Sequence, residues 1–284
     1  MTRSPDEPMT RLGGNVSTVR HAAVAGRFYP ARPEVLMRDV QSYLATAGEK
    51  IEATGCVVPH AGYMYSGHVA GAVYARLALP ERFIILCPNH TGMGKPLAIM
   101  SEGAWDTPLG EAAIDHELAM ELRSVFPALA EDAGAHRAEH ALEVQLPFLQ
   151  ALRRNFTFVP IAVGVGSYEP LAALGEAIAQ VLAAHREKIL IIASSDMNHY
   201  EPDAVTRVKD SKAIEQILKL DPRGLFDVVV NEDISMCGYG PAVAMLTAAR
   251  RLGAESAELI KYATSGDVSG DRDAVVGYAG VIVH

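Results

Sequence analysis

The 284-residue chain is 49 % hydrophobic, ample for a buried core, and carries 25 Lys and Arg against 34 Asp and Glu, a formal net charge of −9. That acidic balance, with no run of basic residues, argues against nucleic acid and anionic membranes as partners, since both are gripped through Lys and Arg. No apolar stretch reaches the ~18 residues of a membrane span, and Met1–Ser17 lacks the apolar centre of a signal peptide.

Residues 1–20 read as a disordered or extended lead-in, and 21–284 as one α/β domain. Gly55–Pro59 is a short apolar run, followed by helical periodicity over Gly67–Leu79. Arg82–Leu86 and Phe156–Val163 are further strand-like runs, with an amphipathic helix expected over Pro170–His185. Lys188–Ala193 has no polar alternation after its lysine, the pattern of a strand covered on both faces. Helices are expected at Asp203–Leu220 and Gly240–Leu252. Two C-terminal strands, Ala257–Ala263 and Val275–Val283, flank the loop Ser265–Arg272 and read as a hairpin-like antiparallel edge. The expected architecture is a mostly parallel or mixed sheet with helices on both faces, and ligands bind such sheets beyond the carboxyl ends of the strands.

At those ends stand histidines. His60 follows Pro59, His90 follows Pro88-Asn89, and His199 follows Ser194-Ser195-Asp196-Met197-Asn198. One histidine after a strand means little, but three at the same topological position point to a shared polar, metal-capable pocket. His140 and Glu143 are spaced i, i+3, which suits two ligands or an acid/base pair and equally suits a solvated helix start. The three cysteines, an odd and low count, argue against a disulfide framework and for a reducing, cytoplasmic setting. Cys56 and Cys87 sit in apolar runs as small hydrophobes. Cys237 lies in a turn-like segment before a helix, where a ligand or nucleophile belongs. There is no Gly-x-Ser-x-Gly elbow, P-loop, His-Glu-x-x-His or Cys-x-x-Cys motif.

Several segments together resemble the Memo family, whose prokaryotic members are called AmmeMemoRadiSam system protein B. They are Pro59-His60-Ala61-Gly62-Tyr63-Met64-Tyr65-Ser66-Gly67, Pro88-Asn89-His90, Trp105-Asp106-Thr107-Pro108-Leu109-Gly110, Glu139-His140-Ala141-Leu142-Glu143, Ser194-Ser195-Asp196-Met197-Asn198-His199-Tyr200 and Cys237-Gly238-Tyr239-Gly240-Pro241. The resemblance runs from about Ala23 to the C-terminus. It implies a fold similar to class III extradiol dioxygenases and metal ligands at His60, His90 and Cys237. Asp196, His140 and His199 would line the same pocket as ligand-supporting or acid/base groups, with Asp196 orienting His199, and with Tyr63, Tyr65, Asn89, Trp105 and Glu143 shaping it. A thiolate would then replace the carboxylate of a two-histidine facial triad. Fe(II) is the first expectation, with copper or zinc behind it. The resemblance further implies a redox or dioxygenase-related enzyme acting on an unidentified small molecule or peptide. Its alternative is a non-catalytic binding module working with radical SAM and AMMECR1-like proteins.

Overall fold

Local chemistry accounts for several element boundaries. The computed structural model describes residues 18–45 and 48–284. Strand β1 (Val19–Arg20) precedes helix α1 (Pro33–Tyr43), which starts on a proline whose ring presets the first helical φ and buries Leu36 and Val40 one turn apart. Then come β2 (Gly55–Val58), α2 (Tyr63–Arg76), β3 (Arg82–Pro88), β4 (Leu97–Ile99), β5 (Ala104–Thr107) and β6 (Gly110–Ile114). Asp115 caps α3 (His116–Val125) by accepting from the Leu118 N–H. After β7 (Ala130–Glu131) and the short α4 (Ala133–His136), a 3-10 turn leads into α5 (Leu146–Leu152). The chain continues through β8 (Thr157–Val163), α6 (Tyr168–Leu182), β9 (Ile189–Ser194), β10 (His199–Glu201) and α7 (Asp203–Leu218). Helix α8 (Pro222–Asn231) is capped by Asp221 and again opens on proline. The chain closes with α9 (Tyr239–Arg251), β11 (Ala257–Thr264), the one-turn α10 (Gly266–Ser269) and β12 (Val275–Val283).

The strands form one mixed sheet in the order β1-β5-β6-β8-β3-β9-β2-β12-β10, with β11 also on β12 and β4 on β8. At its centre β8, β3, β9 and β2 run parallel. The expected C-terminal antiparallel pair is present as β11 and β12, and β12 also runs antiparallel to β2. Because strand side chains alternate between faces, the pleat builds two cores. Ile84 and Leu86 of β3 and Ile191 of β9 face helices α3, α6, α7, α8 and α9. Phe83, Ile85 and Cys87 of β3 and Ile192 of β9 face α1, α2 and α5. This is the expected α/β architecture with helices on both faces.

Some boundaries differ from the sequence reading. Of the expected lead-in, residues 1–17 lie outside the described residues, whereas Val19–Arg20 pair in parallel with Ala104–Trp105. Helix α2 begins four residues early, at Tyr63, where the Tyr63 N–H donates to the Phe28 carbonyl (2.8 Å) and Gly62 caps the helix. The helix expected to end at Leu220 stops at Leu218, and α8 follows at once after Leu220, which takes a positive φ. Among the described residues, no helix is long and apolar enough to cross a membrane.

Candidate metal centre

Strand β9 lies between β2 and β3, so the chain leaving each of these strands emerges at one edge of the sheet. His60 comes from the end of β2, His90 from the end of β3, and Ser194-Ser195-Asp196 from the end of β9. Cys237 arrives from the opposite core, immediately before α9. It can lie close because Gly238 has no side chain: a Cβ there would stand 2.3 Å from the Ser194 carbonyl oxygen and 2.4 Å from the Ser195 Cβ. The ligating atoms of His60, His90 and Cys237 all lie within 4.8 Å of one another. Donors bound to one ion at 2.0–2.3 Å in tetrahedral geometry stand roughly 3.5 Å apart, so modest side-chain adjustment closes this set on a cation.

The hydrogen bonds assign the protons, and they leave the right atoms bare. His60 Nδ1 lies 2.9 Å from Ser194 Oγ, whose own hydrogen is donated to the Ala141 carbonyl (2.6 Å). Nδ1 must therefore carry the proton, and Nε2, 3.1 Å from Cys237 Sγ, keeps its lone pair. Gln145 Nε2 donates to the same serine oxygen (2.8 Å) and to the Pro59 carbonyl (3.0 Å), while the Tyr74 hydroxyl holds Gln145 Oε1 (2.8 Å). His90 is gripped twice by Glu139, through its peptide N–H (2.7 Å) and ring Nδ1 (2.9 Å). A carboxylate only accepts, so Nδ1 of His90 carries a proton and the neutral form of the ring presents a bare Nε2. Burial alone would raise the Glu139 carboxyl, but the bonds from His90 and the Ala141 N–H outweigh it and hold the pKa below its usual range.

The surrounding electrostatics favour neutral imidazole. Burial first, then the neighbouring histidines His90, His140 and His199, push His60 well below its ordinary value. Burial also lowers His140 and His199. Burial raises the Cys237 thiol, a cost that a bound cation would reverse. Asp196 takes the His60 N–H on Oδ1 (2.7 Å), and burial lifts its carboxyl to about 7.

These groups floor an open cavity of about 620 Å³ lined by His60, His90, His140, Asp196, His199 and Cys237, with Phe28 and Tyr200 among its walls. His140 stacks on His90 at 4.7 Å between ring centres and is covered by Phe28 at 4.6 Å. Asp196 does not orient His199. The His199 ring donates from Nδ1 to the Ser235 carbonyl (2.8 Å), and its peptide N–H donates to Ser235 Oγ (2.7 Å).

The residues expected to shape the pocket stand elsewhere. Trp105 is fully buried in β5, packed in the core under the Arg20 guanidinium, 4.3 Å from its ring centre, and Thr107-Pro108-Leu109-Gly110 forms the β5–β6 turn, with Gly110 at φ +110°. Glu143 does not pair with His140. Its buried carboxylate takes Arg20, the Tyr29 hydroxyl (2.5 Å) and the Ala23 N–H (2.8 Å), tying the N-terminal segment to the 3-10 turn. Tyr63 lies on α2 rather than in a loop, its hydroxyl on the Val144 carbonyl (2.6 Å), and Tyr65 packs against the small Val69–Ala263–Tyr278 cluster. Asn89 shapes its own loop through the Met93 carbonyl (2.7 Å). Conversely, Glu139, Ser194, Gln145, Phe28 and Ser235 contribute to the site without having been singled out as site residues. Glu139 and Ser194 lie within segments that carry the family resemblance, and Ser235 stands just ahead of Cys237, but neither the resemblance nor the spacing gave them a role.

Comparison with known proteins agrees with this frame. A solved structure of an uncharacterised Escherichia coli K12 protein superposes with a TM-score of 0.56 at 13 % identity, covering 81 % of this chain and all of that one, a likeness of fold. A MEMO1 family protein of Pyrobaculum aerophilum is 44 % identical over 94 % of this chain and 99 % of its own length. MEMO1 family proteins of Methanosarcina mazei and Methanocaldococcus jannaschii are 45 % and 43 % identical, covering 94 % and 95 % of this chain and 99 % and 100 % of their own. The family model for Memo-like protein matches residues 20–282, and the chain belongs to the Memo family.

Proposed function

We propose that this protein is a metal-dependent redox protein that holds Fe(II), or else copper, through His60 Nε2, His90 Nε2 and Cys237 Sγ. One observation carries the reading: three donors from three separate elements converge within 4.8 Å, and the Nδ1 of each imidazole is taken by a hydrogen bond, which leaves Nε2 for a metal. Two imidazoles and a thiol form a borderline-to-soft set, suited to Fe(II), Cu(I) or Zn²⁺ and unsuited to Mg²⁺ or Ca²⁺. A redox-active ion there would supply one-electron chemistry and Lewis acidity. The chain's own groups would do the rest. His199, neutral and with its bare Nε2 set by the Ser235 carbonyl, would take a proton from a ligand in the cavity. His140, held by stacking between His90 and Phe28, would bound the same space.

The test is oxygen uptake by anaerobically prepared protein loaded with Fe(II) and offered a panel of catechols. The reading predicts uptake with at least one member, lost in His199→Ala while metal content stays at the wild-type level. No uptake with any member, together with tight binding to a radical SAM partner, would establish a binding module in place of an enzyme. Zinc in protein from the native host would replace redox chemistry with hydrolysis by a metal-bound water.

A further inference from the structure

We infer that Asn198 is a positioning residue that sets His199 and Cys237 together. Its side chain is fully buried on the turn between β9 and β10, outside the cavity lining. Every polar position of the amide is used. Nδ2 donates to Glu201 Oε2 (2.7 Å) and Thr206 Oγ1 (3.2 Å), while Oδ1 accepts from the Ser235 N–H and the Ser235 hydroxyl (both 3.1 Å). The assignment of oxygen and nitrogen is forced, since the Glu201 carboxylate only accepts and a peptide N–H only donates. The Asn198 backbone is pinned as well, by Asp210 Oδ1 on its N–H (2.8 Å) and by the Gly277 N–H on its carbonyl (2.9 Å).

The residue held by that amide is Ser235, and Ser235 faces the centre in two directions. Its carbonyl and hydroxyl oxygens take both N–H groups of His199. It also stands two residues before Cys237, so the path of the chain at Ser235 fixes where the thiol enters. Asn198 thus joins a pocket histidine on β10 to a cysteine ahead of α9, two elements that share no ladder. A buried amide with all its bonds satisfied specifies one geometry, and truncating it strands several partners at once. Aspartate at this position would keep the acceptor for Ser235 but set a carboxylate against Glu201.

The inference deepens the metal-centre reading, so its first readout needs no metal. Cys237 is partly accessible whereas Cys56 and Cys87 are wholly buried, which makes the latter pair an internal control for global opening. Alkylation by iodoacetamide is followed by mass spectrometry in wild type, Asn198→Ala, Asn198→Asp and Ser235→Ala. Loss of the two bonds to Ser235 in Asn198→Ala is expected to speed Cys237 labelling about tenfold, with Cys56 and Cys87 still unlabelled. Asn198→Asp should fall between Asn198→Ala and wild type, and Ser235→Ala should show a smaller increase. With Co²⁺ added as probe, the thiolate-to-metal absorption band should shift or weaken in the same rank order. Should Asn198→Ala not fold, Ser235→Ala, which removes only a hydroxyl, carries the test. Wild-type labelling of Cys237 in the folded variants, or equal acceleration at all three cysteines, would overturn the inference. A changed labelling rate with no Co²⁺ band even in wild type would leave the positioning role standing and sink the metal reading.

Discussion

His60→Ala and Cys237→Ser are each expected to lose metal affinity by on the order of 100-fold or more, and Glu139→Gln by roughly 10- to 100-fold although Glu139 would not touch the ion. The first two remove a donor. The third acts through His90. Glu139 engages both the peptide and ring N–H groups of His90, and its ionised form is what fixes the ring with Nδ1 protonated. Glutamine can accept only one of those bonds well and offers an N–H against the other. The measurement is competitive titration with a chromophoric chelator under argon. Comparable affinity in Glu139→Gln and wild type would show that the His90 ring is set by packing alone.

A second large effect is expected outside the cavity lining. His136 is fully buried in contact with Trp105, and neither of its ring nitrogens has a hydrogen-bond partner. Burial, and then the Arg20 guanidinium, push its pKa from 6.5 to about 4. Between those values the unfolded chain binds a proton that the folded chain refuses, so the folded state loses stability as pH falls through that window. At about 1.4 kcal/mol per unit the share of His136 reaches roughly 3 kcal/mol by pH 4. His136→Leu should therefore flatten the dependence of urea-unfolding free energy on pH between 6.5 and 4 by about that amount. A residual slope should persist, since His60, His140 and His199 are also held low. An unchanged slope in the variant would show that His136 gains a partner on protonation.

The strand-end histidines were legible for a simple reason. Parallel strands point the same way, so whatever follows them lands at one edge of the sheet, and His60 and His90 did so with β9 between them. Cys237 reads as a candidate ligand from its turn-like position, but its pairing with His60 and His90 was legible only through the family resemblance. Its closeness to His60 depends on α9 starting against Ser194 and Ser195, a contact permitted by Gly238 that no local pattern announces. Glu139 and Glu143 illustrate the opposite difficulty. Two carboxylates flanking His140 read naturally as a solvated helix start, yet both are fully buried because Arg20 arrives from 119 and 123 residues away to meet the Glu139 carbonyl and the Glu143 carboxylate. Trp105 and Tyr63 lie near motif residues in sequence but have another task, since large aromatic rings in strand and helix fill the core beneath the site rather than the site itself.

The most direct test of the centre is a structure of anaerobically purified protein with anomalous scattering collected across the iron, copper and zinc edges. A single peak bonded at once to His60 Nε2, His90 Nε2 and Cys237 Sγ, and carrying an iron or copper edge, is the predicted result. A peak elsewhere, or an ion held without Cys237, would contradict it.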